Sequence, residues 1–511
     1  MLFAAYAATL GVDAVGGSRY AGDEPHFLAA AASLAEDGDL DLADEYAAGG
    51  GRRDEPRVGG EPGGRRRDEP RVGGEPGGRR RDELSVGGEP GGRRRDELSV
   101  GGEPGGRRRD ELRVGGEPGG RRRDELRVGG ERGRPLEPDG RVVSGRLVEP
   151  HGVGFPLLIA PAYALGGATL VVLLLAGVAA LAFVLGAALA RRVVPEPWAS
   201  WSALLAGLSP PALAHSTAAL PALTAGALLA GAALCALAAR DRPQMRDAYG
   251  GAALLAVLPW LDPWLLVPAA PVAVLLARWT ARRGRGLVAL GTLEVQLASL
   301  VFYAAFNERL YGGLTPLAVT DGPVTGATSL ADYAERLPRL AELWVDRDVG
   351  LLRWAVVFAL AFLGAWQLWR SRRERLTVLV AEQRDAEHAA FLALAVCAGQ
   401  VAVAAFASRS LVGPWFPGTQ LVAALPCAVP LIAWGLRRAP RVGVALGVLT
   451  VGASLWLALT AQWAPPESDA PWGPLVALWP RAAWACIAAA TLAAGASIGV
   501  WWLRRRRELR L

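Results

Sequence analysis

Apolar residues in this chain collect into runs separated by short charged stretches. Runs at 168–190, 198–217, 219–239, 286–306, 350–369, 389–407, 418–436, 441–463 and 481–503 are each near the ~20 residues that a helix needs to cross a bilayer. A shorter run, 2–15, is interrupted by Asp13. The stretch 249–277 is apolar but contains Pro259, Pro263, Pro268, Pro271 and Asp262, which predicts two short, Pro-broken half-spans, tolerated at membrane depth where protein surrounds them. The pattern therefore predicts an all-α fold: a polytopic transmembrane helical bundle of about 10 full spans plus a Pro-broken hairpin.

Arginine placement orients these spans. Clusters at 191–192, 240–246, 278–285, 370–375, 437–441 and 504–507 flank apolar runs, and short basic loops stay on the cytoplasmic side. This places the first loop outside and the C-terminus in the cytoplasm of a multi-pass plasma-membrane protein. The implied organisation is a first helix at 1–17, an external acidic loop at 18–50, repeats at 51–134 and an external juxtamembrane segment at 135–167. Spans at 168–306, an external loop at 307–348, spans at 349–503 and a basic tail at 504–511 complete it. The first run has no basic residues before it and no small-residue cleavage site after it. It reads as a helix whose inner end is missing from the sequence, not as a signal peptide.

Composition sharpens this picture. The chain is 52% hydrophobic and 20% charged, a combination that a single water-soluble domain does not combine easily. Much of the charge lies in six tandem copies of a 14-residue unit at 51–134, whose 23 Arg and 18 Asp or Glu account for most of the net +6. The unit, RRRDEPRVGGEPGG at 65–78, has almost no apolar content and many Gly and Pro, so it predicts a disordered spacer. Its Arg triplets are each followed by Asp-Glu and accompanied by no aromatic side chain, which argues against nucleic acid as a partner. The four cysteines all lie in apolar runs, against a disulfide framework.

Candidate chemistry lies in the first loop. Asp23-Glu24 follows the first run directly, and Pro25 opens an Ala-rich helical stretch. A carboxylate there can sit in the field of a helix N-terminus and take a proton from an attacking hydroxyl, or it can simply cap the helix. Asp39, Asp41, Asp44 and Glu45 form a second acidic cluster. Asp39 and Asp41 offer oxygen ligands of the kind a divalent metal ion takes, or else they are solvated charges.

Several segments carry a resemblance. GDEPHFL, DGDLDLADEY and EPHGVGFPLLIAPAYALGG (149–167), with WASWSALLAGLSPPALAHSTAALP (198–221), NERLYGGLTP (307–316), VDRDVGLLRWA (345–355) and WFPGTQLVAALP (415–426), resemble bacterial glycosyltransferases of the GT-C superfamily. The likeness is strongest to actinobacterial mannosyltransferase and aminoarabinose-transferase-like membrane proteins. It implies a polyprenyl-phosphate-linked sugar donor, a lipid or cell-envelope acceptor, and a base in the first external loop. That role falls on Asp23, supported by Glu24, with both at a wet surface; His26, His151 and Arg409 would contact phosphate or acceptor. The chain departs from the family at Ala222, where relatives carry an acid, and at Thr419, where they carry Arg. The contrasting reading is a non-catalytic membrane protein or a transporter of lipid-linked substrate. A transporter needs ionisable groups near the midplane, and here Glu294, His215 and Asp262 are few.

Overall fold

The computed structural model describes residues 1–14, 20, 22–43, 46, 140–143, 145–242, 244–282, 285–320, 323–346, 348–374, 381–411, 416–460 and 463. The repeats at 51–134, Asp44 and Glu45, the run at 481–503 and the basic tail lie outside the described residues.

Within those residues the protein is mostly helical. Short helices α1 (Leu2–Ala8) and α2 (Glu24–Glu36) come first, followed by a two-stranded antiparallel hairpin, β1 (Arg141–Val143) and β2 (Arg146–Val148), in which Val142 faces Leu147. Then come α3 (Gly154–Arg191), α4 (Trp198–Gly207), α5 (Pro210–Ser216), α6 (Ala222–Asp241), α7 (Met245–Leu261), α8 (Leu266–Ala281) and α9 (Gly286–Tyr311). The chain continues through α10 (Leu330–Glu335), α11 (Arg339–Val345), α12 (Ala359–Glu374), α13 (Ala381–Ala402), α14 (Leu425–Arg438) and α15 (Pro440–Leu459). Among the described residues, 7 helical stretches are long and apolar enough to cross a membrane.

Proline and glycine account for the places where helices depart from the apolar runs. The run 198–217 is two helices, because Pro210 and Pro211 lack the N–H groups that would continue α4. Residues 249–277 form α7 and α8, broken at Asp262-Pro263, where the Asp262 carboxylate accepts from the Trp264 N–H at 2.8 Å. At 17 and 16 residues these helices are each ~25 Å long, longer than the half-spans the prolines suggested. Helix α3 is kinked at Gly166-Gly167, where Gly167 has φ 62° and ψ −160°, a conformation essentially restricted to glycine.

Close backbone approach organises the bundle interior. A Cβ on Gly364 would lie 2.0 Å from the Leu431 carbonyl oxygen, and one on Gly435 would lie 2.4 Å from that of Leu360. Helices α12 and α14 therefore touch backbone to backbone, as small residues permit in membrane bundles. Every residue of α14 from Leu425 to Leu436 is buried. Helix α9 instead turns Leu287, Leu290, Leu297, Val301 and Phe302 outward, and α15 does the same with Val444, Val448, Leu455 and Leu459. Apolar stripes of this extent are unstable in water and mark a surface that lipid covers. The protein is thus a helical membrane protein.

Candidate functional site

Helix α2 carries the first candidates and is pressed against the start of α3 through Phe27, whose ring meets Phe155 edge-on at 5.1 Å. Asp23 is the residue before the helix and is exposed, yet its side chain makes no capping hydrogen bond. The capping alternative therefore does not describe Asp23. Glu24 is only 3% exposed, and its carboxylate accepts from the Ala219 N–H at 2.9 Å. Ala219 lies in the turn between α5 and α6, where no helix satisfies that donor. The wet surface expected for both acids thus holds for Asp23 only. A narrow pocket beside Glu24 has Tyr20, Val172, Thr217 and Trp463 on its wall.

His26 and His151 come together, with their ring centroids 5.7 Å apart. Glu149, 5% exposed, lies beside them. Its Oε1 lies 2.8 Å from His26 Nδ1 and also accepts from the Tyr46 hydroxyl, which itself lies 2.5 Å from His26 Nδ1. Burial pushes the Glu149 carboxyl up, but the His26 hydrogen bond and charge, the Tyr46 hydroxyl and His151 outweigh it and hold the group below its ordinary value. His151 lies against Phe27 at 4.9 Å. Its carbonyl accepts from the Tyr311 hydroxyl at 2.9 Å, and its Nε2 is buried with no hydrogen-bond partner among the described residues.

Asp39 and Asp41 serve the loop. Asp39 Oδ1 accepts from the Ser33 hydroxyl and the Asp41 N–H, each at 3.1 Å. Asp41 Oδ1 accepts from the Leu147 N–H at 3.0 Å and from Ala43 N–H at 3.3 Å. These bonds stitch the end of α2 to β2. Leu42 adds a further link, its N–H donating to the Leu147 carbonyl at 3.1 Å.

Arg409 belongs to a different neighbourhood. Its guanidinium donates to Thr320 Oγ1 at 2.9 Å and to the carbonyls of Pro323 and Val324 at 3.1 and 3.3 Å. Beside it, buried Arg336 donates to the carbonyls of Phe406 and Thr325 at 2.6 and 2.7 Å, and Arg339 to that of Ser408 at 2.8 Å. Next to this cluster opens an apolar groove of about 410 Å³, with Leu340, Trp344, Phe362, Val401, Phe406 and Leu425 on its walls.

No family model, curated protein or solved structure matches the chain.

Sequence reasoning assigned no role to Glu149, Tyr46, Arg336 or Arg339. For Glu149 a signal was present: the tripeptide Glu-Pro-His occurs at 24–26 and again at 149–151, and the structure brings the two copies together. Nothing local distinguished Arg336 and Arg339 from other loop arginines.

Proposed function

We propose that this chain is a membrane glycosyltransferase that moves a sugar from a polyprenyl-phosphate donor to a lipid or cell-envelope acceptor at the outer face of the plasma membrane. The observation that carries the reading is the arginine cluster beside the apolar groove. An isoprenoid phosphate is a flexible apolar chain with an anionic head: the groove wall is apolar throughout, and the arginines lie beside it, Arg339 next to the lining residue Leu340 and Arg336 bonded to the carbonyl of the lining residue Phe406. Arg339 donates one hydrogen bond from each Nη, to the carbonyls of Ser408 and Arg409. A guanidinium has five N–H donors, so donors remain for a phosphate. The resemblance in the first loop supports the same reading. Asp23 is the base: it removes the proton of an acceptor hydroxyl, whose oxygen attacks the anomeric carbon while the polyprenyl phosphate leaves. This reading takes the first loop as external, the C-terminus as cytoplasmic and the number of spans as about ten.

The test is sugar transfer by membranes containing matched amounts of wild type, Asp23→Asn and Arg339→Ala. Losing the base should lower kcat by about a hundred- to ten-thousand-fold, whereas losing the phosphate contact should mainly raise the KM for donor. Equal rates for wild type and Asp23→Asn would remove Asp23 from the mechanism. Absence of transfer by the wild type across a panel of polyprenyl-phosphate sugars would favour the non-catalytic reading.

A further inference from the structure

We propose that His26, Glu149 and His151 form a binding site for one divalent transition-metal cation of the zinc class. Each residue offers one ligand atom, and the three atoms lie within 4.8 Å of one another. Two imidazoles and a carboxylate suit a borderline cation such as Zn²⁺, whereas Ca²⁺ and Mg²⁺ prefer sets made of oxygen alone. A tetrahedral ion with bonds of about 2.0–2.1 Å holds its donors about 3.4 Å apart. The three atoms, now within 4.8 Å of one another, would close to about 3.4 Å around one ion.

Two further features point to a cation. A buried imidazole nitrogen normally has a hydrogen-bond partner, yet His151 Nε2 has none among the described residues. The scaffold also fixes the ligands from several sides. Tyr311 holds the His151 carbonyl, Asp41 and Leu42 hold β2 just before Glu149, and the Tyr46 hydroxyl orients the Glu149 carboxylate. Such outer partners set ligand orientation in metal sites. Three protein ligands leave a fourth position open to water or substrate. The proposal goes beyond the transferase reading and does not depend on it.

The experiment uses the full chain, purified in detergent without a histidine tag, stripped with chelator and dialysed against Zn²⁺ alone. Metal analysis should find about one Zn²⁺ per wild-type chain. His151→Ala and Glu149→Gln should bind at least ten- to a hundred-fold more weakly, and His388→Ala should bind as wild type does. Co²⁺ alone should give the intense visible bands of a four- or five-coordinate site in the wild type. That arm needs no variant, so it stands even if a substitution prevents folding. Substoichiometric zinc in the wild type, unchanged binding in both ligand variants, or a weak six-coordinate cobalt spectrum would each overturn the site. None of these measurements reads sugar transfer, so the site can fail while the transferase reading holds, or the reverse.

Discussion

Asp23 and Glu24 are chemically similar neighbours in opposite environments. Glu24 accepts from a backbone N–H inside the protein, so its truncation leaves the Ala219 donor buried without a partner. Glu24→Ala should destabilise the fold by about 1–3 kcal/mol, and Glu24→Gln, which keeps an acceptor oxygen, by less. Asp23→Asn should fall within about 0.5 kcal/mol of wild type, as surface substitutions do. Thermal unfolding of the three variants in one detergent checks this, and a wild-type melting point for Glu24→Ala would show that the buried bond contributes nothing. Asp332 offers a pH-dependent contrast. Bonds from the Ser329 hydroxyl, the Thr328 and Ser329 N–H groups and the Thr328 hydroxyl hold its carboxyl well below the usual carboxylate range. A lowered folded-state value means that the group's contribution is present above its unfolded value and is lost as the pH falls through the folded one. Amide exchange at 328–332, corrected for intrinsic rates, should be slower in wild type than in Asp332→Asn at neutral pH. That difference should begin to shrink as the pH falls below about 3.8, the ordinary value, and vanish once the pH has passed the lower folded-state value.

Helices here owe their contacts to what their sequences omit. Gly364 on α12 and Gly435 on α14 let two backbones meet where any Cβ would strike a carbonyl. Because those carbonyls belong to α14 and α12 themselves, relief requires shifting a whole helix. Gly364→Ala should cost about 1–3 kcal/mol, the range for overpacking an interior. A melting curve coincident with wild type would mean that the helices separate at little cost. The same substitution at Gly177, whose Cβ would meet nothing within 4 Å, is the control and should be neutral or slightly stabilising, since alanine favours helix. The kink at Gly167 works differently, through a positive φ that alanine adopts only with strain.

The molecule as a whole sorts its helices by what surrounds them. In the most apolar window of Thr419–Arg438, 89% of residues are buried, against 22% for Gly286–Val319. The first is enclosed by protein and the second faces lipid. Deletion of 51–134 should leave membrane yield and melting point unchanged, because that composition brings almost no apolar surface to bury. Loss of folded protein in the deleted form would make the repeat structural. Orientation follows the arginines at 504–507: a reporter active only outside the membrane, fused after Leu511, should be silent. A strong signal there would reverse every loop at once.

Fold class was legible because apolar run length is a one-dimensional quantity: a bilayer demands it of each helix separately, whatever the neighbours are. Pro263 likewise announced the break in 249–277, since a missing N–H acts within one turn, whereas the break at Pro210 and Pro211 fell inside a run read as one span. Asp23 and Glu24 were readable as candidates for a similar local reason, as acids directly after an apolar run and before a helix, whereas His26 and His151 became candidates only through the resemblance. Their environments were not. Whether an acid is wet or buried depends on a partner such as Ala219, 195 residues away from Glu24. The convergence of the two Glu-Pro-His tripeptides depends on a contact between His26 and Glu149 across 123 residues. Sequence determined that the chain is mainly helical and apolar enough for a membrane; which helices face lipid was decided by packing. Tertiary structure decided which acid is shielded, that Asp39 and Asp41 tie α2 to β2, and that Glu149 gathers with two histidines. These are properties of distance in space, and spacing along the chain carries no record of them.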